Sequence, residues 1–140
     1  MKGIDTNVLA RFFVDDPDDS ESRAQRPVAA KVMSGPVFVS KTVLLEFEWV
    51  MRGFYELSIS EVSKVLKALC SLDSVSIEDR EVLLQALEWH AAGMDFADAL
   101  HLESGRARCE GFITFDKKLA RKAGQLGAGP VELLRSGRVK

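Results

Sequence analysis

Short apolar runs alternate with longer amphipathic stretches along this chain, and that alternation limits the folds open to it. Val37-Phe38-Val39-Ser40 follows the break Ser34-Gly35-Pro36, and Gly111-Phe112-Ile113-Thr114 is a second such run. The β-branched and aromatic content of the first marks a buried strand, and the second reads as a strand as well. Between them, apolar residues recur at helical period. Strands separated by helices pair in parallel, because a parallel pair needs a crossover and a helix supplies it. The chain is therefore expected to form an α/β domain around a mainly parallel central sheet flanked by helices.

Taken in order, residues 1–5 predict a strand ending on Asp5, and residues 6–13 a helix. Residues 20–33 predict a second helix with Ala24, Val28 and Val32 as its stripe, bent or starting late at Pro27, which removes a backbone donor. Residues 42–52 are apolar on nearly every face and predict a buried helix. Ser58-Ile59-Ser60-Glu61 has the spacing of a capping box and opens a further helix. Residues 74–77 predict a strand. Residues 79–92 predict a helix with Val82, Leu83, Ala86, Leu87 and His90 on one stripe, stopped by Gly93. A helix over 95–108, a strand over 111–114, a helix over 116–123 and an edge strand over 130–134 complete the pattern. One domain over 1–134 is expected, followed by a mobile basic tail over 135–140.

The 140 residues suffice for one domain with a real core. With 46 % hydrophobic and 29 % charged residues, the composition is that of a soluble globular protein. The apolar runs are too short to span a bilayer, and the start carries no export signal, so a cytoplasmic location is expected. Cys70 and Cys109 lie in helix-like segments without metal-ligand spacing and are expected to be reduced packing residues. The formal net charge is −2, which argues against broad electrostatic binding of nucleic acid. It leaves room for an acidic site with a local basic rim.

The chemistry-bearing residues are acids. Asp5 ends the first strand, Asp116 lies just past the strand 111–114, and Glu46 lies in the second turn of the helix after strand 37–40. In an open parallel sheet, sites form at the carboxyl ends of strands. A helix feeding a parallel strand runs antiparallel to it, so the start of helix 95–108, with Asp95 and Asp98, belongs to that same edge. Asp5, Asp95 and Asp116 also stand where helices begin, and Asp is a favoured N-cap. Glu46 shares a face with Val43, Trp49 and Val50. It is expected to be buried, where an unpartnered carboxylate costs several kcal/mol. Glu48, about half a turn away, is expected in solvent. An all-carboxylate set suits a hard cation, Mg2+ or Mn2+. The histidines lack a ligand partner at helical spacing; His101, three residues after Asp98, is expected as a partly buried helix histidine, with a place at the site rim as the alternative.

Four segments together resemble the PIN-domain nucleases, and most closely VapC-type toxins of toxin–antitoxin pairs. They are Ile4-Asp5-Thr6-Asn7-Val8-Leu9, Val43-Leu44-Leu45-Glu46-Phe47-Glu48-Trp49-Val50, Asp95-Phe96-Ala97-Asp98-Ala99-Leu100-His101 and Thr114-Phe115-Asp116-Lys117. They come in the family order and nearly span the chain. The resemblance implies a single PIN-like domain and a magnesium-dependent ribonuclease. By motif position, Asp5, Glu46, Asp98 and Asp116 match the acidic quartet. Asp95 is auxiliary, and Thr6, Asn7 and Thr114 match neighbouring polar positions. Pro27 departs from the family pattern.

In this reading Asp5 and Asp98 hold the main metal, with Asp116 and Glu46 completing the site. Arg11, Lys41, Lys117 and Lys118 are candidates for contacts to substrate phosphates. RNA, a second copy of the chain and a cognate antitoxin are the expected partners, with the apolar helices of residues 42–70 as a candidate interface. Two rivals stand beside it. A phosphatase working through a phospho-aspartate commonly has a second Asp two residues after the nucleophile, where this chain has Asn7. A non-catalytic RNA- or protein-binding module would keep the fold without needing the acids.

Overall fold

The computed structural model describes residues 1–137, so part of the basic tail expected over 135–140 lies outside the described residues. Residues 135–137 carry no helix or strand. The chain divides into two compact units, Met1–Arg80 and Glu81–Lys140.

The first unit holds β1 (Lys2–Gly3), α1 (Thr6–Phe13), α2 (Ser20–Met33), β2 (Val37–Val39), α3 (Lys41–Gly53), α4 (Ile59–Ser71) and β3 (Val75–Ile77). The strands form one sheet in the order β1-β2-β3, parallel throughout. Val37 and Val39 of β2 are buried, as expected of a central strand. Helix α1 packs on α2 and α3, and α3 on α4. Phe13 and Phe47 meet across the α1–α3 contact with ring centroids 6.1 Å apart. The capping box is present at α4: Ser58 Oγ accepts the Glu61 amide, and Glu61 Oε1 accepts the Ser58 amide.

Three expectations need correction here. Helix α2 starts at Ser20 and continues past Pro27 to Met33, so the late start does not occur. The one hydrogen bond a proline removes is tolerated in a helix capped at its start by Asp19, which accepts from the Glu21 amide and the Ser22 hydroxyl. Its buried residues are Ser22, Ala29 and Met33, and the stripe Ala24, Val28 and Val32 faces out. Helix α3 is turned relative to the reading of its pattern. Leu44, Phe47, Glu48 and Met51 are its buried residues, while Glu46 and Trp49 are exposed. A segment apolar on nearly every face has no polar side to fix its phase, so the sequence leaves the buried stripe ambiguous. Glu48, at 3 % exposure, pairs with Arg52, whose Nε lies 2.9 Å from Oε2.

The second unit contains most of α5 (Arg80–Ala91), then α6 (Phe96–Arg106), β4 (Phe112–Thr114), α7 (Lys117–Leu126) and β5 (Val131–Leu133). β4 and β5 pair in parallel as a separate two-stranded sheet. The expected stripe of α5 is present, with Leu83, Ala86, Leu87 and His90 buried. Gly93 (φ 106°) and Gly127 (φ 69°) take left-handed conformations just past α5 and α7, which glycine adopts without the Cβ penalty. Helix α6 ends at Arg106, so Cys109 lies in the following turn and is exposed, not packed. Cys70 is buried as expected. A network unforeseen in the sequence ties α5 to α6: buried Glu103 accepts from Trp89 Nε1 at 2.7 Å and from Arg106 at 2.6 Å.

Candidate active site

In the first unit, Asp5 follows β1 and caps α1. Its Oδ1 accepts the Val8 amide at 3.3 Å, and its backbone is extended as an N-cap requires. The side chain is exposed. Thr6 is buried, and its hydroxyl has no hydrogen-bond partner among the described residues. Asn7 is exposed on the first turn. The β2 carboxyl end leads into the α3 cap at Ser40, whose Oγ accepts from Val43. Glu46 stands in solvent on α3. The expected argument for it, a carboxylate trapped on an apolar face, therefore does not hold; its exposure leaves it free to meet a ligand from solvent.

Two of the expected cations of this unit already have protein partners. Lys41 Nζ lies 2.6 Å from Asp79 Oδ2, and its amide donates to Glu78 Oε1 at 2.9 Å. Glu78 and Asp79 directly follow β3, so the same sheet edge carries two acids that the sequence reading did not single out. Arg11 donates to Gln25 Oε1 at 2.8 Å and to the Tyr55 hydroxyl at 3.0 Å.

In the second unit, Asp95 caps α6 and its Oδ2 accepts the Asp98 amide at 3.2 Å. Asp116 caps α7 and its Oδ1 accepts the Leu119 amide at 3.1 Å. Thr114 Oγ1 in turn accepts the Asp116 amide at 2.9 Å, so the threonine at the end of β4 sets the backbone that presents Asp116. Burial pushes the Asp98 carboxyl above its ordinary value. The negative charges of Asp95 and Asp116 push the same way, against opposing effects of His101 and Lys118. His101 is exposed on α6, so the expectation that it is partly buried is corrected.

Asp95 and Asp98 line a cleft of about 290 Å3 with Lys118, Arg121 and Lys122 of α7. Arg121 and Lys122 were absent from the expected cations, although their spacing from Lys117 and Lys118 on one helix was a signal for them. Lys117 and Lys118 are exposed. Among the described residues, no three His, Cys, Asp or Glu side chains form a group placed to hold a metal ion. Each of the three capping acids directs one oxygen to a backbone amide.

In parallel α/β arrangements, ligand sites form at the carboxyl ends of the strands, and Asp5 and Asp116 each stand just past such an end. The chain belongs to the PIN domain family, whose model matches residues 3–125. The PIN domain is generally a nuclease fold, and its members generally use divalent metals. A comparison with curated proteins finds no match to this chain. Among the described residues no helix is long and apolar enough to cross a membrane.

Proposed function

We propose that this protein is a Mg2+- or Mn2+-dependent endoribonuclease, the toxin of a VapC-type toxin–antitoxin pair acting in the cytoplasm. The observation that carries the reading is Asp98. It is a partly buried carboxylate that lines the cleft with Asp95 and Lys118, and burial and the charges of Asp95 and Asp116 raise its pKa against the opposing charges of His101 and Lys118. Such crowding is costly without a compensating positive charge. A donor set made only of carboxylate oxygens has the chemistry of a hard divalent cation.

Asp5, Glu46, Asp98 and Asp116 are the proposed ligands, by their motif positions and the acidic character they share. A bound Mg2+ or Mn2+ supplies a lowered pKa for its water and offsets charge on the phosphate. The protein's own groups do the positioning. Asp95 caps α6 at the Asp98 amide, and Thr114 holds the Asp116 backbone. Lys117 and Lys118 offer exposed positive charge beside Asp116 for substrate phosphates.

Apolar side chains left in solvent support the partner assignments. Val8, Val28 and Val32 line a groove of about 340 Å3 between α1 and α2, suited to an apolar segment of an antitoxin. Trp49, Phe54 and Ile59 are exposed around α3 and α4, a surface available to a second copy of the chain.

The test is cleavage of RNA by the purified protein with Mg2+ and with EDTA, alongside Asp98→Asn. Cleavage with Mg2+ alone, lost in Asp98→Asn, is expected. Undiminished cleavage by Asp98→Asn or in EDTA would sink the metal-site reading, and phosphatase activity without RNA cleavage would favour the phospho-aspartate rival.

A further inference from the structure

Phe115 stands between Thr114, which ends β4, and Asp116, which caps α7, and it is 67 % exposed. An aromatic ring of this size in water has a cost that burial would remove. Its surroundings point to the occupant. Phe115, Lys117, Arg121, Leu133, Leu134 and Arg135 line a groove of about 740 Å3, inside the range of about 300–1,000 Å3 usual for ligand sites. Three of the six are cations. The ten residues of α7 carry Lys117, Lys118, Arg121 and Lys122 and no acid, in a chain whose net charge is −2.

Arg121 lines this groove on one side of α7 and the Asp95–Asp98 cleft on the other. The surface on the far side of β4 is different: exposed Ile113 shares a shallow depression with Glu110 and Glu132, whose charges repel phosphate. A polyanion following the positive charge therefore runs from the Phe115 groove over α7 to the acid cleft, and not toward Ile113.

We propose that the Phe115 groove is a subsite for an unstacked nucleotide of single-stranded RNA. One base lies on the Phe115 ring, and Lys117, Arg121 and Arg135 hold the adjoining phosphates. This rests on the proposed ribonuclease reading and adds the substrate form to it. A ring can stack only on a base free of its own duplex neighbours, so the subsite selects single strands. A protein partner fits less well, because the ring is flanked by cations rather than by a continuous apolar surface.

The test is fluorescence anisotropy with a short fluorescein-labelled single-stranded RNA in EDTA, where binding is read without cleavage. Phe115→Ala is expected to weaken binding between about 5- and 150-fold, the equivalent of ~1–3 kcal/mol per stacked base. Phe115→Trp is expected to keep the affinity and to show added tryptophan quenching on titration with RNA. Arg135→Ala is expected to reduce the slope of log K against log salt by about 0.7, one phosphate contact on a single strand. Unchanged affinity of Phe115→Ala would overturn the proposal, as would equal losses on duplex and single-stranded RNA. A Phe115→Ala protein that binds RNA normally but self-associates less in light scattering would also overturn it, assigning the groove to a protein contact. Binding lost in Phe115→Ala while the parent cuts no RNA in Mg2+ leaves the subsite standing and removes the ribonuclease reading. Cleavage by the parent with binding intact in Phe115→Ala does the reverse.

Discussion

Glu46 and Glu48 stand two residues apart on α3, yet one lies in solvent and the other is 3 % exposed against Arg52. The helix turns about 100° per residue, so neighbouring acids of the same chemistry take opposite jobs. Glu48 belongs to the packing of the helix, and Glu46 is the one available to a ligand.

Exchanging them in turn separates those jobs. Glu46→Gln is expected to leave stability within about 0.5 kcal/mol, as for exposed sites. It should lower RNA cleavage by at least about 10- to 100-fold, the loss typical even of groups one step removed from a metal. Glu48→Ala is expected to cost ~1.5–3 kcal/mol, the range for losing a hydrogen bond to a charged group. Urea denaturation beside a cleavage assay reads both; loss of stability in Glu46→Gln would mean that its exposure is misassigned.

Asp5 and Asp116 each have two candidate roles, and asparagine divides them. Asn caps a helix about as well as Asp, while removing the charge that a cation needs. Asp5→Asn and Asp116→Asn are expected to melt like the parent and to lose cleavage. Asp5→Ala and Asp116→Ala are expected to lose cleavage and also ~1 kcal/mol of stability from the missing cap. If the Asn variants cut RNA normally, the two acids are caps alone.

Metal should protect the folded state. A ligand that binds only the native protein stabilises it by about 2.7 kcal/mol at one hundred times its Kd. Mn2+ titrated into the parent is thus expected to raise the Tm in a concentration-dependent way that EDTA reverses. Asp98→Asn should show little of that rise, because it removes one of the proposed ligands. A parent protein whose Tm is indifferent to Mn2+ contradicts the assignment.

The capping box at α4 carries its own pH dependence. The hydrogen bond from the Ser58 backbone amide, joined by the Ser58 side chain, holds the Glu61 carboxyl below its ordinary 4.5. A carboxyl depressed in the folded state stabilises the protein above its unfolded pKa, and that contribution fades as pH falls through the folded value. Acid titration of the parent below about pH 4.5 should therefore include a loss of stability that Glu61→Gln lacks. Identical acid profiles for the two proteins would count against the reciprocal cap.

Much of this was legible in the residues alone. The parallel α/β class followed from strand-like runs separated by helix-period stretches, and α1 and α2 have the expected bounds. The starts of α4, α6 and α7 were marked by Ser58, Asp95 and Asp116, because a cap depends on a few neighbouring atoms that the sequence itself supplies. The four acidic motifs were likewise local signals. Tertiary structure alone decided which face of α2 and α3 turns inward, putting Glu48 with Arg52 and Val28 in solvent. It also decided that Lys41 spends its charge on Asp79, far along the chain, and that Phe115 faces a groove among cations. Burial depends on what packs opposite a residue, and for the α2 and α3 faces, as for the Lys41–Asp79 pair, that neighbour is distant in sequence. A periodic pattern can say that one face is buried, but where every face is apolar only the packed neighbours determine which.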